Sequence, residues 1–220
     1  MKQRIRVWDI PTRIFHWTLV VCIGLMYYTA TSGHMQWHLY IGLFLLFLMI
    51  FRIIWGFLGS ETARFRNFIK GPKAIKNYIT GHFSENEQPG HNPLGALMVI
   101  ALITLVILQI VTGLFSADEN SYGVFDGYLK HLISDGAATT IVRIHKNLFW
   151  IIIGFACVHV ISIFLYAIIK RIDLVLPMIT GYKKIEGDTP NLKFASKELL
   201  LIVLVVSVSL TYFIWLLSKL

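Results

Sequence analysis

Five long apolar stretches dominate the pattern of hydrophobic and polar positions along the chain. They cover residues 14–32, 37–58, 94–115, 148–169 and 199–217. Each approaches or exceeds the roughly 20 residues that a helix needs to cross about 30 Å of hydrocarbon. Lipid offers no partner for an open backbone group, and the alternation typical of a membrane barrel is missing, so continuous helices are expected. The pattern predicts an all-α membrane protein with five spans.

The composition agrees with a protein whose surface lies mostly in lipid. Only 15% of the 220 residues are charged, against about 25% in an average protein, and the mean hydropathy is +0.67. Cys22 and Cys157 lie inside apolar runs and form neither a CxxC nor a CxxCH motif, which excludes covalent attachment of a c-type haem. The basic segment before the first run lacks a following cleavage site, so no cleavable signal peptide is expected.

The basic residues are distributed unevenly around the predicted spans. Sixteen of the 20 lysines and arginines lie before the first run or with the second-to-third and fourth-to-fifth connections. Five spans place these three stretches on one side of the membrane, and the positive-inside rule makes that side cytoplasmic. The N-terminus is therefore expected in the cytoplasm and the C-terminus outside. The net charge of +8 then indicates contact with anionic membrane lipid, and it does not indicate nucleic-acid binding.

Four of the eight histidines fall at depths where a hydrated imidazole is hard to explain: His16, His38, His145 and His159. Ionisable groups inside a membrane are costly, so each needs a reason. His145 and His159 are 14 residues apart on one predicted helix. At 3.6 residues per turn they share nearly one face, about 21 Å apart along the axis. Two large planar groups fit along such a face.

The directions of the predicted helices pair these histidines by depth. His38 and His145 lie near the outer side, whereas His16 and His159 lie nearer the cytoplasmic side. The second pairing requires the first helix to begin early, near residues 8–11, or the fourth to extend past residue 171. Two bis-histidine sites follow. The alternative for any single membrane histidine is a hydrogen bond to a carbonyl or hydroxyl group.

The chemistry of two opposed imidazoles favours haem over other metals. Zinc prefers four ligands in one cluster, and no Asp or Glu lies in the apolar runs to complete one. Bis-imidazole ligation leaves no open position on the iron, which suits electron transfer better than oxygen chemistry. The other histidines are expected to be hydrated in connections or turns, and they are His34, His82, His91 and His131.

Several short motifs follow one another along the predicted helices and their connections. They are VWDIPTRIFHW at residues 7–17, His38-x-x-x-Gly42, Phe51-Arg52-x-x-Trp55-Gly56, Gly90-His91-Asn92-Pro93-x-Gly95 and MITGYK at residues 178–183. In this order they resemble the prokaryotic cytochrome b561 family, which includes the b-type subunits of nickel-iron hydrogenases. The resemblance covers about residues 5–184. It implies a four-helix bundle that holds two b haems, with His16, His38, His145 and His159 as axial ligands in the pairs given above.

This resemblance predicts a dihaem membrane domain at residues 1–184, followed by a linker and an additional C-terminal span at 185–220. The fifth span is a departure from the family. Arg13 and Arg143 precede ligand histidines closely and are predicted to pair with haem propionates, because arginine binds carboxylates in a bidentate manner. The alternative is that both are interfacial anchors.

The predicted function is electron transfer across the bacterial cytoplasmic membrane, between quinone or quinol and a redox partner protein. A cytochrome c, a hydrogenase or another dehydrogenase is the expected partner, and an electron-transfer subunit is favoured over a stand-alone oxidoreductase. Acidic residues of the connection 116–146 suit a basic partner; they are Asp118, Glu119, Asp126 and Asp135. The alternatives are a superoxide:quinone oxidoreductase, which Lys130, Arg143 and Lys146 would favour, and a haem-free transporter or scaffold.

Overall fold

The structure is a computed structural model that describes residues 2–80, 90–118, 123–186 and 190–220. His82 and Glu119, which the sequence analysis named, lie outside the described residues. In chain order the elements are β1 (Lys2–Arg6), α1 (Ile10–Thr31), α2 (Met35–Leu58), α3 (Phe65–Phe68), α4 (Pro72–Ile79), α5 (Pro93–Leu114), α6 (Asp135–Ile169), α7 (Val175–Thr180), β2 (Tyr182–Glu186) and α8 (Lys197–Leu217). Short 3-10 turns occupy Glu61–Ala63 and Lys130–Leu132.

Among the residues that the structure describes, five helices, namely α1, α2, α5, α6 and α8, are long and apolar enough to cross a membrane. The five predicted spans are therefore confirmed. Helix α1 begins at Ile10, as the pairing of His16 with His159 required, and Pro11 fits its first turn because the missing N–H is not needed there. Helix α6 begins at Asp135, well before the apolar run, so His145 and Lys146 belong to the helix and the preceding connection is shorter than predicted.

Outside the five spans, the structure has two short strands that the sequence did not predict. Strands β1 and β2 pair in an antiparallel register that runs from Lys2↔Glu186 to Arg6↔Tyr182. Ile185 is buried within the pair, and the Arg4 guanidinium lies 4.5 Å from the centre of the Tyr182 ring. Both segments are mostly polar, so they carry the weak alternation of a half-exposed strand, which a search among apolar runs does not detect.

A glycine turn joins the N-terminal segment to the connection before α8. Gly181 ends α7 with φ +89°, a left-handed conformation that glycine adopts without a steric penalty. Its carbonyl accepts hydrogen bonds from the N–H groups of Val7 and Trp8, at 2.8 and 3.1 Å. A Cβ at this position would lie 2.9 Å from the Trp8 carbonyl oxygen, so this close approach of two backbones requires glycine.

Contacts divide the chain into two compact units. The first consists of Met1–His16, Arg52–Ala101 and Ala156–Val203, and the second of Trp17–Phe51, Leu102–Phe155 and Leu204–Leu220. The first unit buries Val7, Trp55 and Phe68, and the second buries Met49, Val106 and Ile152. Each unit contains one of the predicted histidine pairs.

Candidate functional site

In the second unit, His38 near the start of α2 faces His145 of α6. The ring centroids are 6.3 Å apart and the ring planes are inclined by 79°. A metal–imidazole bond is about 2 Å long, so two imidazoles on opposite sides of one metal have centroids about 6 Å apart. The structure thus brings together two residues that the sequence analysis paired, at a separation that suits a shared metal.

Hydrogen bonds fix the tautomer of both rings. The Nδ1 atom of His38 lies 3.1 Å from the Met26 carbonyl oxygen, and Nδ1 of His145 lies 3.0 Å from the Gln109 carbonyl oxygen. Because a carbonyl can only accept, each Nδ1 carries the proton and donates it, and each Nε2 keeps its lone pair. Histidine ligands in metalloproteins are usually oriented by such a bond from the other ring nitrogen.

The two histidines line a cavity of ≈ 520 Å³ whose walls come mainly from apolar side chains of α1, α2, α5 and α6. This volume is typical of a site for a large organic ligand. Gly113 allows the His145 ring to lie against α5, since a Cβ there would be 3.0 Å from Cε1 of His145. Opposed imidazoles, apolar walls and this volume fit an iron porphyrin. Among the described residues, no group of three His, Cys, Asp or Glu side chains could hold a metal ion by itself.

Two polar residues of the cavity differ from the sequence expectation. Lys146 and Arg143 are both exposed, but Lys146 lines the cavity, whereas Arg143, the predicted propionate partner, is not among the described lining residues. Gln109 also lines the cavity, and the sequence analysis did not select it. Gln109 could have been found from the sequence, because it is a lone amide in the apolar run 94–115 and polar groups at membrane depth usually have a specific role.

In the first unit, His16 of α1 and His159 of α6 lie close enough to interact electrostatically. Arg13, one turn before His16, donates from Nη1 to the Ile179 carbonyl. Its Nε is buried and has no hydrogen-bond partner among the residues that the structure describes. The first unit therefore contains both histidines of the second predicted pair, and Arg13 beside His16 has a donor that is not engaged within the described residues.

His91, which was expected to be hydrated in a connection, is half-buried. Its ring packs against Trp8 and Phe68, with centroid distances of 4.7 Å to each, and its Nδ1 is buried without a hydrogen-bond partner in the described part of the chain. Burial lowers the pKa of His91 to about 3, and the nearby Arg52, His159 and His16 act in the same direction. The aromatic rings that cover it come from distant segments. His34 and His131, in contrast, are exposed as predicted.

A buried polar cluster lies in the same unit and was missed by the sequence analysis. Asp9 is 3% exposed; its Oδ1 accepts from the Thr12 N–H at 2.8 Å and its Oδ2 from the Trp55 indole at 2.9 Å. Arg52, also 3% exposed, interacts electrostatically with Asp9 and donates to the Ala63 carbonyl at 3.3 Å. The sequence feature that could have indicated this cluster is Asp9 two residues before Pro11, a pattern typical of a helix N-cap.

The acidic residues before α6 and at its start are largely paired with groups of the same chain. The ammonium group of Lys130 lies 2.6 Å from Asp135 and 3.7 Å from Asp126. The other oxygen of Asp126 accepts from the backbone N–H of Asp118 at 2.6 Å. Less acidic charge is left for a docking partner than the sequence suggested, and Lys130 contributes little net positive charge.

Comparison with known proteins agrees with these features. The family model described as prokaryotic cytochrome b561 matches residues 7–181. A relative in Rhodobacter capsulatus, named "Probable Ni/Fe-hydrogenase B-type cytochrome subunit", is 23% identical over 224 residues, covering 85% of this chain and 84% of the relative. The "Probable Ni/Fe-hydrogenase 1 B-type cytochrome subunit" of Escherichia coli K12 is 23% identical over 213 residues, covering 80% and 89%. No solved structure matches at a comparable level of significance.

Proposed function

Since the chain belongs to the prokaryotic cytochrome b561 family, we propose that it is a dihaem cytochrome that passes electrons across the membrane. Family and relatives identify a multi-pass membrane b-type cytochrome in electron transfer, with haem b as the cofactor. The observation that carries the proposal is the opposed pair His38 and His145, 6.3 Å apart in an apolar cavity. A bound haem supplies the reversible one-electron chemistry of its iron.

The residues of the two pairs have defined roles in this proposal. His38 and His145 would hold one haem iron through Nε2, while the carbonyls of Met26 and Gln109 orient the rings and increase their basicity. His16 and His159 would hold the second; in support, both belong to the first unit and interact electrostatically there. A haem held by two imidazoles would supply electron transfer rather than oxygen chemistry.

Arg13 is the proposed partner of a propionate in the first unit, because its buried Nε is not engaged within the described residues. In the second unit, Lys146 is better placed for this role than Arg143, since Lys146 lines the cavity. Either cation would balance a carboxylate that enters an apolar environment. Membrane lipid surrounds the remaining apolar surface.

We propose quinone or quinol as one redox partner and a protein as the other. The names of the relatives favour a hydrogenase, with another dehydrogenase or a cytochrome c as further possibilities. The use of Asp126 and Asp135 by Lys130 weakens the case for docking a basic cytochrome c, and it also removes charge that a superoxide:quinone oxidoreductase would need. The distribution of Lys and Arg supports a bacterial inner-membrane location with the N-terminus cytoplasmic and the C-terminus periplasmic.

Alanine substitutions at the four ligand positions test this function. Replacing His38 or His145 is expected to lower the content of one haem and to change its spectrum, and replacing His16 or His159 should do the same to the other, because losing one of two imidazole ligands weakens the hold on the iron. Haem per chain and the reduced spectrum are measured on purified protein. A double substitution within a pair should match the singles, whereas one across the pairs should remove both haems.

The matched controls are His34→Ala and His131→Ala, since both side chains are exposed and should leave haem content unchanged. His91 is less suitable, because its ring is packed between Trp8 and Phe68. Full haem content together with an unchanged reduced spectrum in any of the four ligand variants would contradict the assignment of that residue.

A further inference from the structure

We propose that a groove between α2 and α8 binds the ring of a quinone or quinol, next to the cavity of His38 and His145. The groove has a volume of ≈ 570 Å³, which is typical of a site for a small organic molecule. Its lining residues all belong to the second unit. They are Tyr40, Leu43, Phe44, Phe47, Val208, Thr211, Tyr212 and Trp215. This inference rests on the proposed function, which names quinone as a redox partner and assigns no residues to it.

Aromatic side chains form most of the wall of this groove. Tyr212 and Trp215 are stacked, with ring centres 5.6 Å apart and ring planes inclined by 25°. Aromatic faces attract another planar conjugated ring by offset stacking, an attraction that a saturated acyl chain does not share. Tyr40 and Tyr212 also carry hydroxyl groups, and Trp215 carries an indole N–H, all of which can donate to carbonyl oxygens. The lining therefore suits a planar ring with carbonyl groups better than it suits a lipid tail.

The groove lies beside the cavity that the two histidines line. Leu43 lines both spaces, so at this point one side chain of α2 lies between them. Tyr40 of the groove interacts electrostatically with Tyr128, which lines the cavity. Electrons tunnel efficiently only over short distances, so a mobile redox partner is best held where little protein intervenes. This position favours a redox-active occupant.

The depth of the groove also suits a quinone. Its lining comes from residues 40–47, near the start of α2, and 208–215, near the end of α8, and the predicted topology places both ends at the outer side of the membrane. The ammonium group of Lys219 lies 5.1 Å from the centre of the Trp215 ring. A quinone has a polar ring on an apolar isoprenoid tail, so its ring can occupy this depth while its tail stays in lipid.

Helix α8 supplies half of the lining and lies beyond residues 7–181, which the family model matches. The groove is thus built with the additional span of this chain rather than from the part that the family shares. Tyrosine and tryptophan also gather at membrane interfaces without binding any ligand. Specific labelling by a quinone distinguishes these two roles.

The test is photolabelling of the full-length protein in phospholipid vesicles with an azidoquinone. Labelled peptides are identified by mass spectrometry, with and without an excess of menadione. We expect label in segments 40–47 or 208–215 that menadione displaces. Val208→Phe fills the groove from an exposed position and should remove this displaceable label. Tyr212→Leu removes one stacking ring and should raise the menadione concentration for half-displacement about two- to tenfold.

Val206→Phe is the matched control, since Val206 is exposed on the same helix and is not among the described residues that line the groove. It should label like the parent chain. Label that persists in excess menadione, that lies outside both segments, or that changes equally in all three variants or in none overturns the inference. Haem per chain in the same preparations tests the proposed function separately. Two haems without displaceable label overturn the inference alone, whereas a chain without haem overturns the proposed function.

Discussion

A histidine has one nitrogen left for a metal once the other is bonded to a carbonyl, and this applies to both His38 and His145. The four candidate ligands could be predicted because imidazoles are rare and costly at membrane depth. The groups that orient them could not, because main-chain carbonyls such as that of Met26 leave no mark in a sequence. The packing of His91 could not be predicted either, since the rings that contact it belong to segments far away in the chain.

The buried cluster of the first unit gives a prediction at this scale. Trp55→Phe removes the indole donor to Asp9 and leaves a buried carboxylate oxygen with one partner fewer, which costs about 1–3 kcal/mol. We expect a clearly lower melting temperature in detergent. Trp37→Phe is the control, because Trp37 is 62% exposed. Equal losses in the two variants would show that the bond from Trp55 to Asp9 contributes nothing specific.

At the scale of elements, apolar length was sufficient to predict the five spans but not the contacts of each helix face. Helix α8 is apolar nearly throughout, yet Ser207 and Thr211 on one of its faces are buried, and the Thr211 hydroxyl donates to the Ser207 carbonyl at 2.8 Å. Small and hydroxyl-bearing residues are typical of contacts between membrane helices. The buried face of α8 could therefore have been predicted from the small size of its residues, but not from their hydropathy. Strands β1 and β2 were missed because pairing between distant polar segments has no local signal.

Substitutions in α8 test whether this face is packed. Ser207 is 0% exposed, so Ser207→Leu overpacks the contact and is expected to destabilise the second unit by about 1–3 kcal/mol. Ser209 is exposed on the same helix, and Ser209→Leu should have little effect. The measurement is thermal unfolding of both variants in detergent. If both leucines were tolerated equally, α8 would not be packed through Ser207.

At the scale of the whole molecule, membrane class and family follow from features that extend along most of the chain. Apolar length fixes the number of spans, and motifs between residues 7 and 183 carry the family. The division into a dihaem domain at residues 1–184 and a C-terminal span at 185–220 stays a prediction. The physiological partner depends on surface chemistry, and the pairing of Lys130 with Asp126 and Asp135 shows how a charge pattern can be used within one chain.

Under the proposed function, the two histidine pairs, one in each unit, would bind two haems. The most direct measurement is the pyridine haemochrome content of the purified protein, made with adequate haem supply and divided by the protein concentration from amino-acid analysis. The account predicts about two b haems per chain, extractable with acid because no covalent attachment motif is present. A colourless protein, or one that saturates at a single haem per chain, would contradict it.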